Sequence, residues 1–323
     1  MLYAIGEMLI DFVAAQKGRE IKEVDSFVKA PGGAPANVAA LVAKCGGVAA
    51  VITQLGKDPF GDFLLEELER SGVSTNYIFR TSKANTGLAF VSVKENGERD
   101  FSFYRNPSAD LLLEPSAIKE EWFNEEDFLH FCSVDLVESP MKEAHRQAIS
   151  FMEQKGGLIS FDPNVRLSLW EKPELCRQAI LEFLPKAHIL KISDEELAFI
   201  TGDSNEEKAL QSLFQGNVQA ILYTKGASGA ELLTKEGVVS RSGYPIEVED
   251  TTGAGDAFMG GFLYQLAAHG VTAPQLSDYA MKHAVELLDF ANACGAMTAM
   301  KRGAISAMPN LEEVEIFMKE RGR

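Results

Sequence analysis

Short β-rich runs alternate with helix-like patterns through most of this 323-residue chain. Such alternation is typical of a parallel sheet that helices cover on both faces, so we predict an α/β fold. Ligands of these sheets bind at the carboxyl ends of the strands, where functional residues are therefore expected. The strands are predicted at Leu2–Gly6, Val48–Gln54, Phe128–Cys132, Leu158–Asp162, Ile189–Ile192 and Ala220–Lys225, and the helices at Ala34–Lys44, Phe60–Ser71, Pro140–Lys155, Glu174–Leu184, Asp194–Thr201 and Glu206–Phe214.

The C-terminal third and two inserted segments depart from this alternation. Long, largely apolar helices are predicted at Ala254–His269 and Pro274–Met300, with no clear strand between them. The segments at about 11–31 and 86–107 instead favour antiparallel strands outside the main sheet. We therefore predict one domain over residues 1–323, with a mostly parallel central sheet flanked by helices and a small β-sheet lid.

The second inserted segment has the pattern of a hairpin. A turn is predicted at Glu95–Glu98, and the return strand places Phe101, Phe103 and Arg105 on one face. A small sheet with an aromatic face suits a lid over a ligand or a partner surface. A static β-meander packed on the domain fits the same pattern.

Apolar side chains on the predicted lid bear on the oligomeric state. Phe90, Val91 and Val93 are expected to be exposed there. Exposed apolar surface favours pairing with a second subunit, so we expect a homodimer formed through the lid.

Charge and cysteine usage limit the partners and the compartment. The net charge is −16, from 31 basic and 47 acidic residues, which argues against a nucleic-acid partner but not against a nucleotide held by a glycine turn. The four cysteines form no C-x-x-C pair, so reduced thiols in a cytoplasmic protein are expected. The run Met1–Phe12 carries Glu7 and Asp11 and is not a signal peptide, and no apolar stretch is long enough to span a membrane.

The stretch Asp250–Phe258 combines a tight glycine turn with the start of a long apolar helix. Such a turn leaves several backbone N–H groups unpaired at the positive end of the helix dipole, which suits a phosphate group. Asp256 lies beside this anion site, where a carboxylate is useful as a base that takes a proton from an attacking hydroxyl group. A plain helix N-terminus with an acidic first turn fits the motif alone equally well.

Four further motifs are suited to contact a sugar or a nucleotide. The glycines of Gly32–Asn37 permit close backbone approach, and Asn37 can donate and accept hydrogen bonds to sugar hydroxyls. Asp162–Arg166 and Thr224–Gly229 each follow a predicted strand and so lie at its carboxyl edge. Ser193–Glu196 is either a helix N-terminus with acidic residues or part of a magnesium–water network. The sequence contains neither a P-loop nor a dinucleotide fingerprint.

With these motifs, the whole chain resembles the PfkB (ribokinase-like) family of carbohydrate kinases, and most specifically its bacterial fructokinases. Asp250–Phe258 is similar to the C-terminal signature of the family. Gly32–Asn37 is similar to the N-terminal signature, in which the pair Ala34-Pro35 is typical of fructokinases. Phe103–Asp110 and Phe161–Arg166 also look fructokinase-like. The resemblance implies a ribokinase-like fold, ATP with Mg²⁺, and transfer of the γ-phosphoryl group to D-fructose to give fructose 6-phosphate.

The resemblance also implies a role for each matching residue. Asp256 is the expected base, and Gly253, Ala254 and Gly255 form the expected anion hole. The residues expected to bind the sugar are Asp11, Gly33, Asn37, Phe103, Arg105, Asn164 and Arg166. The residues expected to bind the nucleotide and its metal are Lys191, Glu196, Thr224, Lys225, Gly226, Gly229 and Asn292, and a potassium site is implied at Asp250, Thr252 and Gly303.

The chain departs from the family at one position, and three other functions fit part of the pattern. The metal motif N-x-x-E begins here with Ser193 instead of asparagine. A 2-keto-3-deoxygluconate kinase is the main alternative, because Arg105 and Arg166 could receive a carboxylate, whereas Ala34-Pro35 suits a neutral sugar. A nucleoside kinase is the next alternative. A catalytically silent sugar sensor is the last, although binding alone needs no base at Asp256.

Overall fold

The computed structural model of the protein describes residues 1–16, 18–93 and 99–323, which form two β-sheets with helices around them. The predicted turn at Glu95–Glu98 lies outside these residues. The strands are β1 (Leu2–Ile5), β2 (Leu9–Ala14), β3 (Phe27–Gly32), β4 (Ala49–Gly56), β5 (Ile78–Thr81), β6 (Leu88–Val93), β7 (Arg99–Tyr104), β8 (Phe128–Cys132), β9 (Leu158–Asp162), β10 (Ile189–Ser193), β11 (Ala220–Thr224), β12 (Ala230–Thr234) and β13 (Gly237–Arg241).

The helices lie between the strands in the first two thirds of the chain and follow one another in the last part. They are α1 (Ala34–Lys44), α2 (Pro59–Arg70), α3 (Pro140–Lys155), α4 (Pro173–Phe183), α5 (Asp194–Thr201), α6 (Glu206–Ser212), α7 (Ala254–Ala268), α8 (Leu276–Lys282), α9 (Ala284–Ala299) and α10 (Leu311–Glu320). Among the helices of the described residues, none combines the length and the apolar character that crossing a bilayer requires.

The larger sheet has nine strands in the order β13-β12-β11-β10-β9-β8-β1-β4-β5. Neighbouring strands from β11 to β5 are parallel, whereas β12 and β13 are antiparallel to their neighbours. The predicted, mostly parallel sheet is therefore confirmed, and the six predicted strands are all present with small shifts at their ends. Strands β5, β12 and β13 lie at the margins of the sheet and were not predicted.

Both faces of the central strand β1 are buried, which explains why its sequence is apolar throughout. Leu2 and Ala4 belong to the hydrophobic cluster that includes α1, α7 and α9. Tyr3 and Ile5 belong to the cluster on the other face, with α3 and α4. Helix α1 packs directly against α7, so two helices from opposite ends of the chain share one face of the sheet.

The smaller sheet has four strands in the order β3-β2-β6-β7 and is built from the two inserted segments. The pairs β2–β3 and β6–β7 are antiparallel, as predicted, but β2 and β6 are parallel. The expectation of wholly antiparallel strands is therefore wrong. The reason is topological, because β2 and β6 follow β1 and β5, which run parallel in the large sheet, and leave its carboxyl edge in the same direction.

Part of the apolar surface predicted to be exposed on the small sheet is buried. Val91 is 7% exposed and is flanked in register by Val13 of β2 and Phe101 of β7, so the prediction for this residue is wrong. The ring of Phe90 is partly buried and stacks on Phe12 with the centroids 5.0 Å apart. The side chain of Val93 lies outside the described part of the chain.

The segment predicted as one helix at Pro274–Met300 forms two helices. Helix α8 ends at Lys282 and α9 begins at Ala284, and His283 between them has φ −108° and ψ 15°. The His283 ring stacks on Tyr279 with the centroids 4.4 Å apart. Apolar residues continue through the junction, so the hydrophobic pattern did not reveal the break.

Candidate active site

Asp162 and Lys191 form a buried ion pair at the carboxyl edge of the large sheet. They lie in the neighbouring strands β9 and β10, and Lys191 Nζ is 2.7 Å from Asp162 Oδ2. Burial raises the pKa of Asp162 to about 6, although Lys191 opposes this change. Burial disfavours the charged form of Lys191 as well, but Asp162 and Glu196 raise the pKa of Lys191 above its ordinary value. Lys191 thus keeps its positive charge at this edge, paired with the carboxylate of Asp162.

A glycine turn lies beside this positive charge. Gly253 has φ 75° and precedes Ala254, the first residue of α7. A Cβ atom on Gly253 would lie 2.8 Å from Ala304 Cβ, so both the backbone angle and the available space require glycine. A Cβ atom on Gly255 would lie 3.6 Å from Lys191 Nζ. The positive end of α7 and the lysine therefore face the same space, which suits an anion.

Asp256 is joined to α1 by a side-chain hydrogen bond. It lies in the first turn of α7, and its Oδ2 accepts a hydrogen bond of 2.8 Å from Asn37 Nδ2. Asn37 is 4% exposed, and its Oδ1 has no hydrogen-bond partner among the described residues. Because a buried acceptor without a partner is costly, this oxygen is suited to a donor that a ligand supplies. The predicted base and one predicted sugar contact lie side by side.

Asp11 and Gly32 meet next to the start of α1. The carboxylate of Asp11 lies against Gly32, where a Cβ atom would collide with it. Gly33 has φ 115°, and a Cβ atom there would collide with the carbonyl oxygen of Glu7. Gly32 therefore allows a carboxylate, which only accepts hydrogen bonds when ionised, to lie close to the helix that carries Asn37, and Gly33 allows that helix to start against the backbone of Glu7.

The loop after β9 contacts the small sheet. Asn164 has φ 47°, an uncommon angle for a residue other than glycine. Arg166 donates a hydrogen bond of 3.0 Å to the carbonyl oxygen of Val165, and its guanidinium lies 5.8 Å from the ring centroid of Phe101. Phe101 stacks on Phe103 with the centroids 5.7 Å apart. The structure thus connects two predicted sugar contacts, Arg166 and Phe103, through one aromatic pair.

Arg105 is enclosed by carboxylates. Its Nη2 donates to Asp110 and to Asp135, and all three side chains are at most 4% exposed. Ser108 donates to the other carboxylate oxygen of Asp110. Although burial opposes the charged form, Asp110, Asp135 and Glu7 raise the pKa of Arg105 above its ordinary value. The structure thus places the guanidinium of Arg105, predicted to bind sugar, inside a network of internal partners.

Glu196 caps the helix on which it lies. Its Oε2 accepts hydrogen bonds from the backbone N–H (3.0 Å) and the hydroxyl (2.8 Å) of Ser193, which form a capping box at the start of α5. Its Oε1 accepts a hydrogen bond of 2.7 Å from the N–H of Val165. The helix N-terminus predicted at Ser193–Glu196 is present, and Glu196 also ties α5 to the loop after β9.

The loop after β11 continues the same edge of the sheet. Gly226 and Gly229 have φ values of 51° and 100°, and a Cβ atom on Gly229 would collide with the backbone of β13. Lys225 Nζ lies 2.9 Å from Glu231 and 3.3 Å from Glu206. The glycines thus serve the loop geometry, and the charge of Lys225 is balanced within the fold.

Thr224 and Asn292 are the remaining residues predicted to contact a nucleotide. Thr224 ends β11 beside β10, and its hydroxyl lies 3.5 Å from the carbonyl oxygen of Ile192. Asn292 on α9 is 8% exposed, and its Nδ2 has no hydrogen-bond partner among the described residues. A buried amide donor of this kind is suited to an acceptor on a ligand.

Asp250, Thr252 and Gly303 are brought together by hydrogen bonds. Asp250 Oδ1 accepts from the N–H (3.0 Å) and the hydroxyl (2.6 Å) of Thr252, and Asp250 Oδ2 accepts from the N–H of Gly303 at 3.2 Å. The three residues predicted to bind potassium therefore form one cluster next to the glycine turn, although Asp250 and Gly303 are 53 positions apart in the sequence.

Glu7, Asp110 and Asp135 are buried acids near the site that were not predicted as site residues. Each is an acidic residue that is at most 3% exposed. Glu7 lies in an apolar run directly after β1, and Asp135 follows β8 by three residues. Both positions are at the carboxyl edge of the sheet, where a buried acid is a candidate for function.

Known proteins resemble the chain over its whole length. The sequence profile of the pfkB family carbohydrate kinases matches residues 1–311. A relative from Arabidopsis thaliana, probable fructokinase-4, is 41% identical over 320 residues, which are 99% of this chain and 97% of the relative.

Two solved structures have a closely similar fold. Fructokinase from Xylella fastidiosa with bound ATP has a TM-score of 0.90 and 34% sequence identity, and the match covers 100% of this chain and 99% of that chain. Fructokinase from Vibrio cholerae O395 with fructose, ADP and calcium bound has a TM-score of 0.88 and 33% identity, and the match covers 98% of each chain.

Proposed function

Because the chain belongs to the pfkB family of carbohydrate kinases, we propose that it is an ATP-dependent fructokinase that phosphorylates D-fructose to fructose 6-phosphate. The observation that carries this proposal is the position of Asp256, beside the N-terminal glycine turn of α7 and in hydrogen-bond contact with Asn37. The similarity to fructokinases over nearly the full chain supports fructose as the acceptor.

In the proposed reaction, Asp256 takes the proton of the fructose 6-hydroxyl group as that oxygen forms a bond to the γ-phosphorus of ATP. The bond between the γ-phosphorus and the β–γ bridging oxygen breaks, and ADP leaves with that oxygen. The N–H groups of the turn at Gly253–Gly255 and the positive end of α7 stabilise the charge on the transferring group. Lys191, which is paired with Asp162, faces the same space beside Gly255.

We place the sugar over the N-terminus of α1. Asp11 accepts hydrogen bonds from two hydroxyl groups, Gly33 allows the sugar to approach the backbone, and Asn37 Oδ1 accepts a further hydrogen bond. The loop at Asn164–Arg166 borders the sugar, and Phe103 covers it from the small sheet, which acts as a lid. We do not assign Arg105 a direct contact with the sugar, because two buried carboxylates already hold its guanidinium.

We assign the nucleotide to the adjoining part of the same edge. Lys191 contacts its phosphates, Thr224 and the loop at Lys225–Gly229 border it, and Asn292 contacts the adenine with its buried amide. This arrangement follows the order of β10 and β11 along the sheet and leaves the γ-phosphoryl group between Lys191 and α7.

We propose that magnesium is bound together with ATP. Among the described residues, no group of three or more His, Cys, Asp or Glu side chains is arranged to hold a metal ion by itself. Mg²⁺ is commonly held by one or two carboxylates, water and substrate phosphates, and we propose that Glu196, whose oxygens also accept hydrogen bonds from Ser193 and Val165, orients that water. When bound, the ion neutralises charge on the phosphates. Potassium is assigned to the cluster of Asp250, Thr252 and Gly303.

A homodimer formed through the small sheet and a cytoplasmic location are further parts of the proposal. Val28 in β3 and Tyr104 in β7 are 61% and 64% exposed, so both edge strands of this sheet present apolar surface to a partner. The four cysteines are buried and free, which fits a compartment that keeps thiols reduced.

The proposal is tested by ADP release with fructose, ribose, ketodeoxygluconate and adenosine at matched concentrations. We expect kcat/KM for fructose to exceed that for every other acceptor by at least about tenfold, since a site built to hydrogen-bond its substrate discriminates strongly. Faster turnover of ketodeoxygluconate would show that it, and not fructose, is the acceptor, and would leave the kinase assignment unchanged. No ADP release with any acceptor would favour a sugar sensor.

Ketodeoxygluconate kinase is the second candidate, because the Arg166 guanidinium lies at the acceptor side of the site. The variant Arg166→Ala separates the two acceptors. With a neutral sugar, the loss of activity should depend little on ionic strength, whereas loss of a carboxylate contact should be larger at low salt.

A further inference from the structure

Arg105 is neutralised by the carboxyl groups around it. It contacts Asp110 and Asp135, whose side chains are 1% and 0% exposed. Glu7, which is 3% exposed, is a third carboxyl group within electrostatic reach of the guanidinium. One positive charge thus faces three carboxyl groups, which we call the acidic cluster (Glu7, Asp110 and Asp135). The cluster and Arg105 together carry no net positive charge once any one of the three is ionised.

The acidic cluster lies directly behind the proposed acceptor site. Glu7 Oε1 accepts a hydrogen bond of 2.9 Å from the backbone N–H of Ala34, the first residue of α1. Gly33 packs against the backbone of Glu7, and Asn37 lies one turn further along the helix. Glu7 Oε2 and Asp135 Oδ2 have no hydrogen-bond partner among the residues that the structure describes. The start of α1 is therefore backed by buried carboxyl oxygens, which offer an incoming anion no compensating positive charge.

We infer that the acidic cluster makes the acceptor site select neutral sugars and reject sugar acids, an inference that rests on the proposed kinase function. A carboxylate that enters a buried site loses its hydration and needs a positive charge in compensation. The charge of Arg105 is already balanced by Asp110 and Asp135, which hold its Nη2, although its Nε has no hydrogen-bond partner among the described residues. Arg105 therefore does not join Arg166 in binding the carboxylate of a sugar acid.

Asp110 and Asp135 act through Arg105 and are specificity-determining residues that do not touch the sugar themselves. Replacing one of them with asparagine keeps its shape but removes a negative charge, so Arg105 becomes available to an incoming carboxylate. The predicted effect is a change in the choice of substrate, which a purely structural role of these residues would not produce.

The test compares the wild-type protein with Asp110→Asn and Asp135→Asn. ADP release is measured with ketodeoxygluconate and with fructose, and the ratio of their kcat/KM values is the readout. We expect this ratio to rise by at least about tenfold in each variant, because removing like-charge repulsion in a buried site has effects of this size. An unchanged ratio in folded variants that still phosphorylate fructose would overturn the inference.

Asp127→Asn is the matched control. Asp127 is also buried and also holds a positive charge, that of the Met1 amine at 2.8 Å, but it precedes β8 at the opposite edge of the sheet. The ratio should stay at the wild-type value in this variant. A rise as large as in the Asp110 and Asp135 variants would show that the effect is not specific to Arg105 and would overturn the inference.

If the variants do not fold, a measurement on the wild-type protein tests whether the acceptor site rejects sugar acids. Ketodeoxygluconate and its uncharged carboxamide are compared as competitive inhibitors of fructose phosphorylation. We expect the carboxamide to bind at least about tenfold more tightly, because the two molecules differ chiefly in charge. Equal binding of the two molecules would overturn the inference that the site rejects sugar acids, but it would not affect the fructokinase assignment. Absence of fructose phosphorylation would overturn the fructokinase assignment itself.

Discussion

The side-chain amide of Asn37 donates a hydrogen bond of 2.8 Å to a carboxylate oxygen of Asp256, across 219 positions of sequence. The two residues lie in the first turns of α1 and α7, which pack against each other. The amide oxygen of Asn37 is buried and has no hydrogen-bond partner among the described residues. In the proposed reaction, one side chain therefore orients the base with its nitrogen and the sugar with its oxygen.

Replacing Asp256 with asparagine should abolish most of the activity. The variant Asp256→Asn keeps the shape of the side chain but cannot accept the proton, so kcat should fall by about 10²–10⁴-fold. Fructose binding, measured by calorimetry, should change little. Asp278→Asn, on the exposed surface of α8, is the control and should be fully active. Near-normal turnover of Asp256→Asn would remove this residue from the role of base.

Removing the carboxylate of Asp11 should affect the sugar and not the nucleotide. The variant Asp11→Ala leaves sugar hydroxyls without an acceptor, at a cost of about 1–3 kcal/mol each, so KM for fructose should rise by roughly tenfold or more. KM for ATP should stay near the wild-type value. Asp25→Ala, an exposed aspartate between β2 and β3, is the control. A matching rise in both KM values would mean that Asp11 supports the fold of the site in general.

Gly253→Ala and Gly270→Ala form a matched pair of tests of the anion site. Both glycines have left-handed angles, φ 75° and 63°, but a Cβ atom on Gly253 would meet Ala304 Cβ at 2.8 Å, whereas one on Gly270 would meet nothing within 4 Å. Each variant should lose about 1 kcal/mol of unfolding free energy from the backbone angle. Gly253→Ala should lose more and should also lower kcat. Equal melting temperatures and full activity in both would contradict the role of the turn.

Glu7 should make the stability of the protein depend on pH. Burial, with Asp135 as the next cause, raises the pKa of Glu7 from 4.5 to about 8. Between these values the folded state keeps a proton that the unfolded state has lost, so the stability due to Glu7 is full below pH 4.5 and is lost as the pH rises through 8. Glu7→Gln cannot titrate but can still accept the hydrogen bond from Ala34.

The measurement is the melting temperature of wild type and Glu7→Gln at pH 5, 7 and 9. The wild-type value should fall relative to that of the variant as the pH rises, because only the wild type has a carboxyl group to ionise at this position. Glu125→Gln, an exposed glutamate, should follow the wild type at every pH. A constant difference between wild type and Glu7→Gln would show that Glu7 ionises normally in the folded protein.

The small sheet should become more protected when the sugar binds. If it is a lid, amide hydrogens of β6 and β7 should exchange more slowly with fructose than without it, since closure suppresses local opening. Strand β9, buried in the large sheet, serves as the internal reference and should not change. Equal exchange of β6 and β7 in both states would support the static β-meander.

The sequence predicted elements well where a long periodic pattern ended at a clear boundary. Helix α1 was predicted with its observed bounds, because Gly33 precedes it and Pro35 lies in its first turn. Strand β5 was missed, since Ile78–Thr81 is a short, half-buried margin strand with no strong alternation. The break at His283 was missed because the hydrophobic pattern runs through it.

Parts of the candidate site could be predicted because they are contiguous in sequence. The glycine turn and Asp256 lie within one motif, so their proximity follows from local geometry. The contact of Asp256 with Asn37 and the enclosure of Arg105 by Asp135 depend on how distant segments pack. A single chain gives no signal for such pairs.

Strand β1 lies in the middle of the large sheet, between β4 and β8, and Leu2 pairs in register with Phe128. The first strand of the chain therefore gains its second neighbour only after a long loop has closed, which is a slow step in folding. Strands β8 to β13 lie outward from β1 in chain order. Because α1 and α7 lie far apart in the sequence, we expect Asn37 and Asp256 to meet late in folding. On refolding, enzymatic activity should return with the slowest phase and so report completion of the native state.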